Sequence, residues 1–232
     1  MSTLAMPFFC MPWRTHVKAL RIDVNQQPVE LEKELDALHR RLNRRGDALH
    51  GLPVICMNYP GLVFRYREAD GEHYIYVEDP ARRCLAGYTG LNRLIEVHRR
   101  ADPHLRAPHS KYAVAYQRRG IATAIYRWWL ESGQCLITGA RQSSGAYALW
   151  HSLARRYDLF YVDLRGKTLR SLGQDVDEQT HNDLHTRMIL LGKGWDVERL
   201  AEEAGMLPFS EVGIGKPDAS RIDRVRMPRW RR

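Results

Sequence analysis

KYAVAYQRRGIATAIYRWWLE, residues 111–131, decides the fold. Its first six residues are aromatic or small and apolar apart from Lys111 and read as a short, largely buried strand, whereas 121–131 repeats apolar groups at helical spacing. Between the two lies Gln117-Arg118-Arg119-Gly120. A chain that passes from a strand through a tight turn into a helix gathers the unpaired amides of the first helical turn and the positive end of the helix dipole at one point. Gly120 can take backbone angles closed to other residues, and its missing side chain lets a ligand approach the main chain. An anionic phosphate is the natural occupant. Arg118 and Arg119 add fixed positive charge and forked donors.

The elements that follow extend this unit. Ser132-Gly133 stops the helix, 134–138 (QCLIT) reads as a second strand, 142–156 (QSSGAYALWHSLARR) as a second helix and 159–164 (LFYVDL) as a third strand. With these elements in this order, residues 109–165 resemble the GNAT N-acetyltransferase superfamily, in which a strand, a Q/R-x-x-G-x-G/A loop and a helix bind acetyl-CoA. Gln117, Gly120 and Ala122 stand at the fixed loop positions. The family's next helix often carries N-x-x-A-x-x-x-Y, and the corresponding run here is Ser143-x-x-Ala146-x-x-x-Trp150.

The resemblance implies an α/β (α+β) fold, a GNAT-like mixed and mainly antiparallel central sheet flanked by helices. It also implies direct transfer of an acyl group, usually acetyl, from acetyl-CoA as co-substrate to an amine on a protein or a small molecule, without a metal. By the same resemblance, main-chain N–H groups of Val114 and Ala115 hold the pantetheine arm and the tetrahedral oxyanion. The amides from Arg118 through Arg119, Gly120, Ile121 and Ala122 to Thr123 bind the pyrophosphate, and Ser143 donates a hydrogen bond to the pantetheine. The family's helix tyrosine protonates the departing thiolate. Trp150 has only an indole N–H there and reads as packing, which leaves Tyr147, one turn earlier, and Tyr157, two turns later, as candidate acids. The acceptor amine must lose a proton, since about one free lysine in a thousand is uncharged at neutral pH. A base or a water chain is therefore required. No carboxylate lies in 111–116, and His109 and Glu96 are the nearest candidate bases.

Outward from this core, 17–24 (VKALRIDV) reads as a first strand, and Pro28 opens a helix with Leu31, Leu35, Leu38 and Leu42 at helical spacing. That stripe docks the helix on the sheet or, as the other reading, forms the seam of a homodimer. Segments 62–67 and 73–77 flank Asp70-Gly71, a dipeptide suited to a tight hairpin. Segment 81–108 reads as a short strand at 85–89 and a helical stretch at 91–100. After Leu164 the chain is polar; it then offers 187–191 (RMILL) as a last strand and 196–204 as a helix capped by Asp196 and stopped by Gly205. The organisation expected is an N-terminal arm (1–14), an acyl-CoA-binding domain (15–192), and a C-terminal helix with a basic tail (193–232). His181 and His185, four apart with Asp183 between them, have the spacing of a zinc pair but lack a further ligand, and read as solvent-facing.

A chain of 232 residues, 44% hydrophobic, can bury a sizeable core. Cys10, Cys56, Cys84 and Cys135 are scattered singly, as in a reduced cytoplasmic protein, and the N-terminus is broken by Pro7 and Pro12 without an early positive charge, unlike a signal peptide. No apolar run reaches bilayer length, so no membrane partner is expected. The formal charge is +9, and only six of the 36 basic residues are lysine. Such a surface steers anions, CoA or an acidic protein among them. The arginines run along the whole length without a recognition motif, which argues against nucleic acid; the tail 226–232 is the best local candidate and reads as solvated. The absent helix tyrosine and the long arms carry a rival reading, a GNAT-fold module that modulates another protein. In style the arginine-rich chain is similar to GNAT-like proteins encoded by tailed bacteriophages, whose targets would be host proteins.

Overall fold

The computed structural model describes residues 28–208. The expected arm (1–14), the strand at 17–24 and the basic tail at 226–232 lie outside them. Nine strands form one sheet in the order β1-β2-β3-β4-β5-β6-β9-β7-β8. They are β1 (Val54–Ile55), β2 (Val63–Ala69), β3 (Glu72–Asp79), β4 (Cys84–Asn92), β5 (Leu105–Tyr112), β6 (Cys135–Ile137), β7 (Leu159–Arg165), β8 (Thr168–Gly173) and β9 (Thr186–Leu190). Every pairing is antiparallel except β5 with β6. Helices cover both faces, so the mixed, mainly antiparallel architecture is the expected one.

Helix α1 (Pro28–Leu42) buries Leu31, Leu35 and Leu42 against Tyr76, Leu85 and Leu49. The leucine stripe thus docks on the sheet. Glu34 fastens it by accepting from Lys111 Nζ at 2.9 Å and from the Tyr88 hydroxyl at 2.7 Å. On the opposite face, α2 (Ile121–Glu131) and α3 (Ser144–Leu153) bury Ile125, Trp129, Trp150 and Leu153 against Phe64, Ile75, Leu136 and Tyr161. Beneath β6, β7 and β9, α5 (Val197–Ala204) supplies Leu200 and Ala204 to a third cluster with Phe160 and Ile189. Asp196 caps α5 by accepting from the Arg199 amide, and Gly205 ends it with φ 66°. The short α4 (Glu178–Asn182) precedes β9.

Local chemistry explains the hairpins. Asp70 and Gly71 both have positive φ, 56° and 74°, the geometry of a primed turn whose twist matches its strands. Gly166 and Lys167, at 57° and 64°, repeat the device between β7 and β8, in a stretch that reads as merely polar.

Two expected elements are corrected. The helix at 91–100 is absent: Leu91 and Asn92 complete β4, and the chain then runs through turns closed by bonds such as Ala101 N–H to His98 O at 2.9 Å. Pairing of β4 with β5 overrides local helix propensity there. The strand at 111–116 begins earlier and stops at Tyr112. Val114–Tyr116 is a turn of 3-10 helix, closed by Tyr116 N–H to Ala113 O at 2.8 Å. Its apolar residues are held by tertiary contacts, the Tyr116 hydroxyl donating to Asp79 Oδ2 at 2.7 Å.

Candidate functional site

The two halves of the sheet meet over two residue pairs, Leu105 with Cys135 and Arg106 with Leu136. Beyond them the strands part. Residues 107–112 of β5 pair only with β4, while β6 runs on against β9, with Thr138 N–H bonded to Met188 O at 2.9 Å. Main-chain groups alternate along an antiparallel ladder. Because Ala113 N–H bonds Ala86 O, the groups of 107, 109 and 111 face β4, and those of Pro108, Ser110 and Tyr112 face the split. Pro108 is tolerated inside the strand since its missing N–H belongs on that unpaired side. Ser110 and Tyr112 therefore offer free amides along one wall of a wedge.

The wedge leads to the glycine loop. Arg118 and Gly120 adopt left-handed backbone, with φ 57° and 78°. Gly120 is the N-cap of α2 without any side-chain cap, and the first helical bond is Ala124 N–H to Gly120 O at 3.0 Å. Among the described residues, the amides of Arg118 to Thr123 are left unpaired. A Cβ built on Gly120 meets nothing within 4 Å, so the space above the turn is open. Gln117 serves as a brace: its side-chain amide donates to Tyr112 O at 2.9 Å, tying the loop to the wedge wall. The Tyr59 hydroxyl braces the other side by donating to Arg119 O at 2.8 Å. Arg119 and Arg82 both stack on the Tyr116 ring, 5.5 and 5.7 Å from its centroid, which concentrates positive charge beside the loop. Ile121 is buried, an anchor for the helix start.

Val114 and Ala115, expected on the strand edge, sit in the 3-10 turn instead, and Val114 is exposed. The edge amides that sequence reasoning missed belong to Ser110 and Tyr112; Pro108 is the signal that could have set the phase. Ser143 caps α3, its hydroxyl accepting from Ala146 N at 3.2 Å, with its own proton left to donate.

The candidate proton carriers are dispersed. Tyr147, on the first turns of α3, borders a cleft with Thr138, Arg141, Tyr161, His181 and Arg187. Burial raises its phenol pKa, and its ring lies 4.2 Å from that of His151 and 5.6 Å from that of His181. His181, which reads as solvent-facing in the sequence, is thus packed between Tyr147 and Tyr161. Tyr157 lies past the far end of α3, donating to Glu131 Oε1 at 2.7 Å. His109 projects from β5 on the side of α1, away from Tyr147. Desolvation and then Lys111 lower its pKa, and Glu34 opposes them less strongly. Glu96 pairs with Arg187, 3.1 Å away. Trp150 is 2% exposed inside the core. Of the named residues, Tyr147 borders this cleft, Ser143 caps the start of the same helix, and Tyr157 lies past that helix's far end. Tyr161, Arg141 and Arg187 carry no sequence signal, because three separate elements bring them together.

No protein-family model matches the sequence, and no protein of curated function matches it. Two solved structures are similar to it. One is a GNAT superfamily phosphinothricin acetyltransferase from Sinorhizobium meliloti in complex with AcCoA, 19% identical over 53% of this chain, with a TM-score of 0.34. The chain spans 63% of that protein's length. The other is a protein assigned to the GNAT acetyltransferase family from Bordetella pertussis, 17% identical, covering 60% of this chain and 98% of that one, with a TM-score of 0.35. Among the described residues no group of three His, Cys, Asp or Glu side chains is placed to hold a metal. No helix among them is long and apolar enough to cross a membrane.

Proposed function

We propose that this chain is an acyl-CoA-dependent N-acyltransferase that passes an acetyl group from acetyl-CoA directly to an amine. One observation carries the reading: the split between β5 and β6 exposes the Ser110 and Tyr112 amides and runs into a loop whose amides, from Arg118 to Thr123, are unpaired at the positive end of α2. An extended amide-bearing arm fits the wall, and a diphosphate fits the loop. In the reaction the acceptor nitrogen attacks the thioester carbonyl, the C–N bond forms, the C–S bond breaks, and the proton lost by nitrogen is matched by one gained by sulfur. A strand amide pointing into the split, Tyr112 or Ser110, is placed to steady the oxyanion in the role expected of Val114 and Ala115. Tyr147, kept protonated by burial, is the acid we assign to the departing thiolate.

The test is thermal unfolding with and without acetyl-CoA, with ATP as polyanion control. Ligand at a hundred times its dissociation constant adds about 2.7 kcal/mol, and a chain of this size gains about 2–4 °C per kcal/mol. A midpoint rise of several degrees specific to acetyl-CoA supports the reading; no rise, or an equal one with ATP, overturns it. The buried Trp150 favours one second reading, a GNAT-fold module that binds another protein without catalysis. That reading gains if CoA binds and the parent protein passes acetyl to no amine offered.

A further inference from the structure

We propose that the cleft beside Tyr147 is a subsite for an anionic group, so that the amine acylated here is a small molecule bearing a carboxylate or a phosphate. This deepens the acyltransferase reading and rests on it for the reaction, though not for the binding. The cleft opens beyond Thr138, where the far wall of the split turns into α3, and α4 closes its other side. Its free space of about 60 Å³ matches about four waters, the size of a carboxylate or phosphate.

The lining is rich in unpartnered donors. Arg187 is 3% exposed; one terminal nitrogen meets Glu96 at 3.1 Å and the other donates to the carbonyls of Leu184 and Thr186, but its Nε–H has no partner. The Tyr161 hydroxyl has none among the described residues, and Arg141 stands exposed on the rim without an ion pair there. The carboxylate of Asp183, also at the cleft, is already engaged by Arg165 and by the His185 amide at 2.8 Å. Buried donors seek acceptors, and a group with only acceptors satisfies several at once. A lysine ammonium offers only donors and is repelled by both guanidiniums. The same cations favour the neutral form of an amine bound next to them, which supplies part of what a missing carboxylate base would do.

The test uses isothermal titration of O-phosphoethanolamine, β-alanine and ethanolamine into the protein, with and without saturating CoA. At least tenfold tighter binding of one anionic probe than of ethanolamine is expected, and which of the two binds tighter separates phosphate from carboxylate. Arg141→Gln, an exposed change that leaves the melting midpoint in place, should weaken that binding about tenfold and leave CoA affinity unaltered. Equal affinity for all three probes, no binding of any, or indifference to Arg141→Gln overturns the subsite. Failure of CoA alone to bind overturns the acyltransferase reading while the anion selectivity still reports on the cleft.

Discussion

Replacing Gly120 by alanine and by glutamate separates the loop's backbone from its electrostatics. Gly120 has φ 78° and ψ 8°, and a Cβ there meets no atom within 4 Å, so neither residue clashes with the protein. Each bears only the left-handed strain, about 1–2 kcal/mol for an L residue. That lowers the melting midpoint by about 2–8 °C, equally in both variants. Glutamate adds a carboxylate over the unpaired amides where the diphosphate would sit. A unit charge about 4 Å from another costs about 4 kcal/mol at an effective dielectric of 20. Halving this for the exposure of the loop leaves about 2 kcal/mol, or about a thirtyfold loss of CoA affinity. Alanine should lose less than tenfold. Calorimetric titration with CoA and melting followed by circular dichroism measure both quantities. A glutamate variant that binds within threefold of the parent refutes the loop as the diphosphate site; equal losses in both variants refute the electrostatic account and leave only backbone strain.

Tyr147→Phe should lower kcat about a hundredfold or more with CoA affinity unchanged, since only the proton to sulfur is lost; equal turnover would remove Tyr147 from the chemistry. Gly87→Ala should abolish soluble expression or lower the midpoint steeply, because its Cβ would fall 2.7 Å from Tyr112 Cα and closer still to Lys111 O, both backbone atoms; a parent-like melt would show that β4 and β5 are less closely paired than the structure has them. Burial raises the Glu34 pKa, but hydrogen bonds from Lys111 and Tyr88 outweigh it and leave the group below 4.5 in the folded state. Its contribution is therefore present above the unfolded value and lost as pH falls through the folded one. Glu34→Gln should melt below the parent at pH 7 and approach it as the pH falls below the ordinary carboxylate range, and a gap constant with pH would count against the pairing.

What the sequence discloses depends on how local the cause is. Asp70-Gly71 and the stripe of Leu31, Leu35 and Leu42 are each specified by a few residues whose own preferences agree with the final structure, and both form where expected. The loop at Gly120 belongs to the same class, since a glycine before an apolar helix needs the same backbone whatever surrounds it. Val114 to Tyr116 fails because its apolar composition suits a strand and a turn equally, and the deciding contact, Tyr116 to Asp79, spans the fold. The short pairing of β5 with β6 is equally hidden, for nothing local to either strand says that their contact ends after two pairs. Binding that relies on main-chain amides is consequently easier to foresee than chemistry that relies on side chains. The amides come with the turn, whereas Tyr147, Tyr161 and Arg187 meet only because α3, β7 and β9 converge on one cleft. Trp150, on the same helix, fills the core instead, so the hydroxyls at the cleft are those of Tyr147 on α3 and Tyr161 on β7.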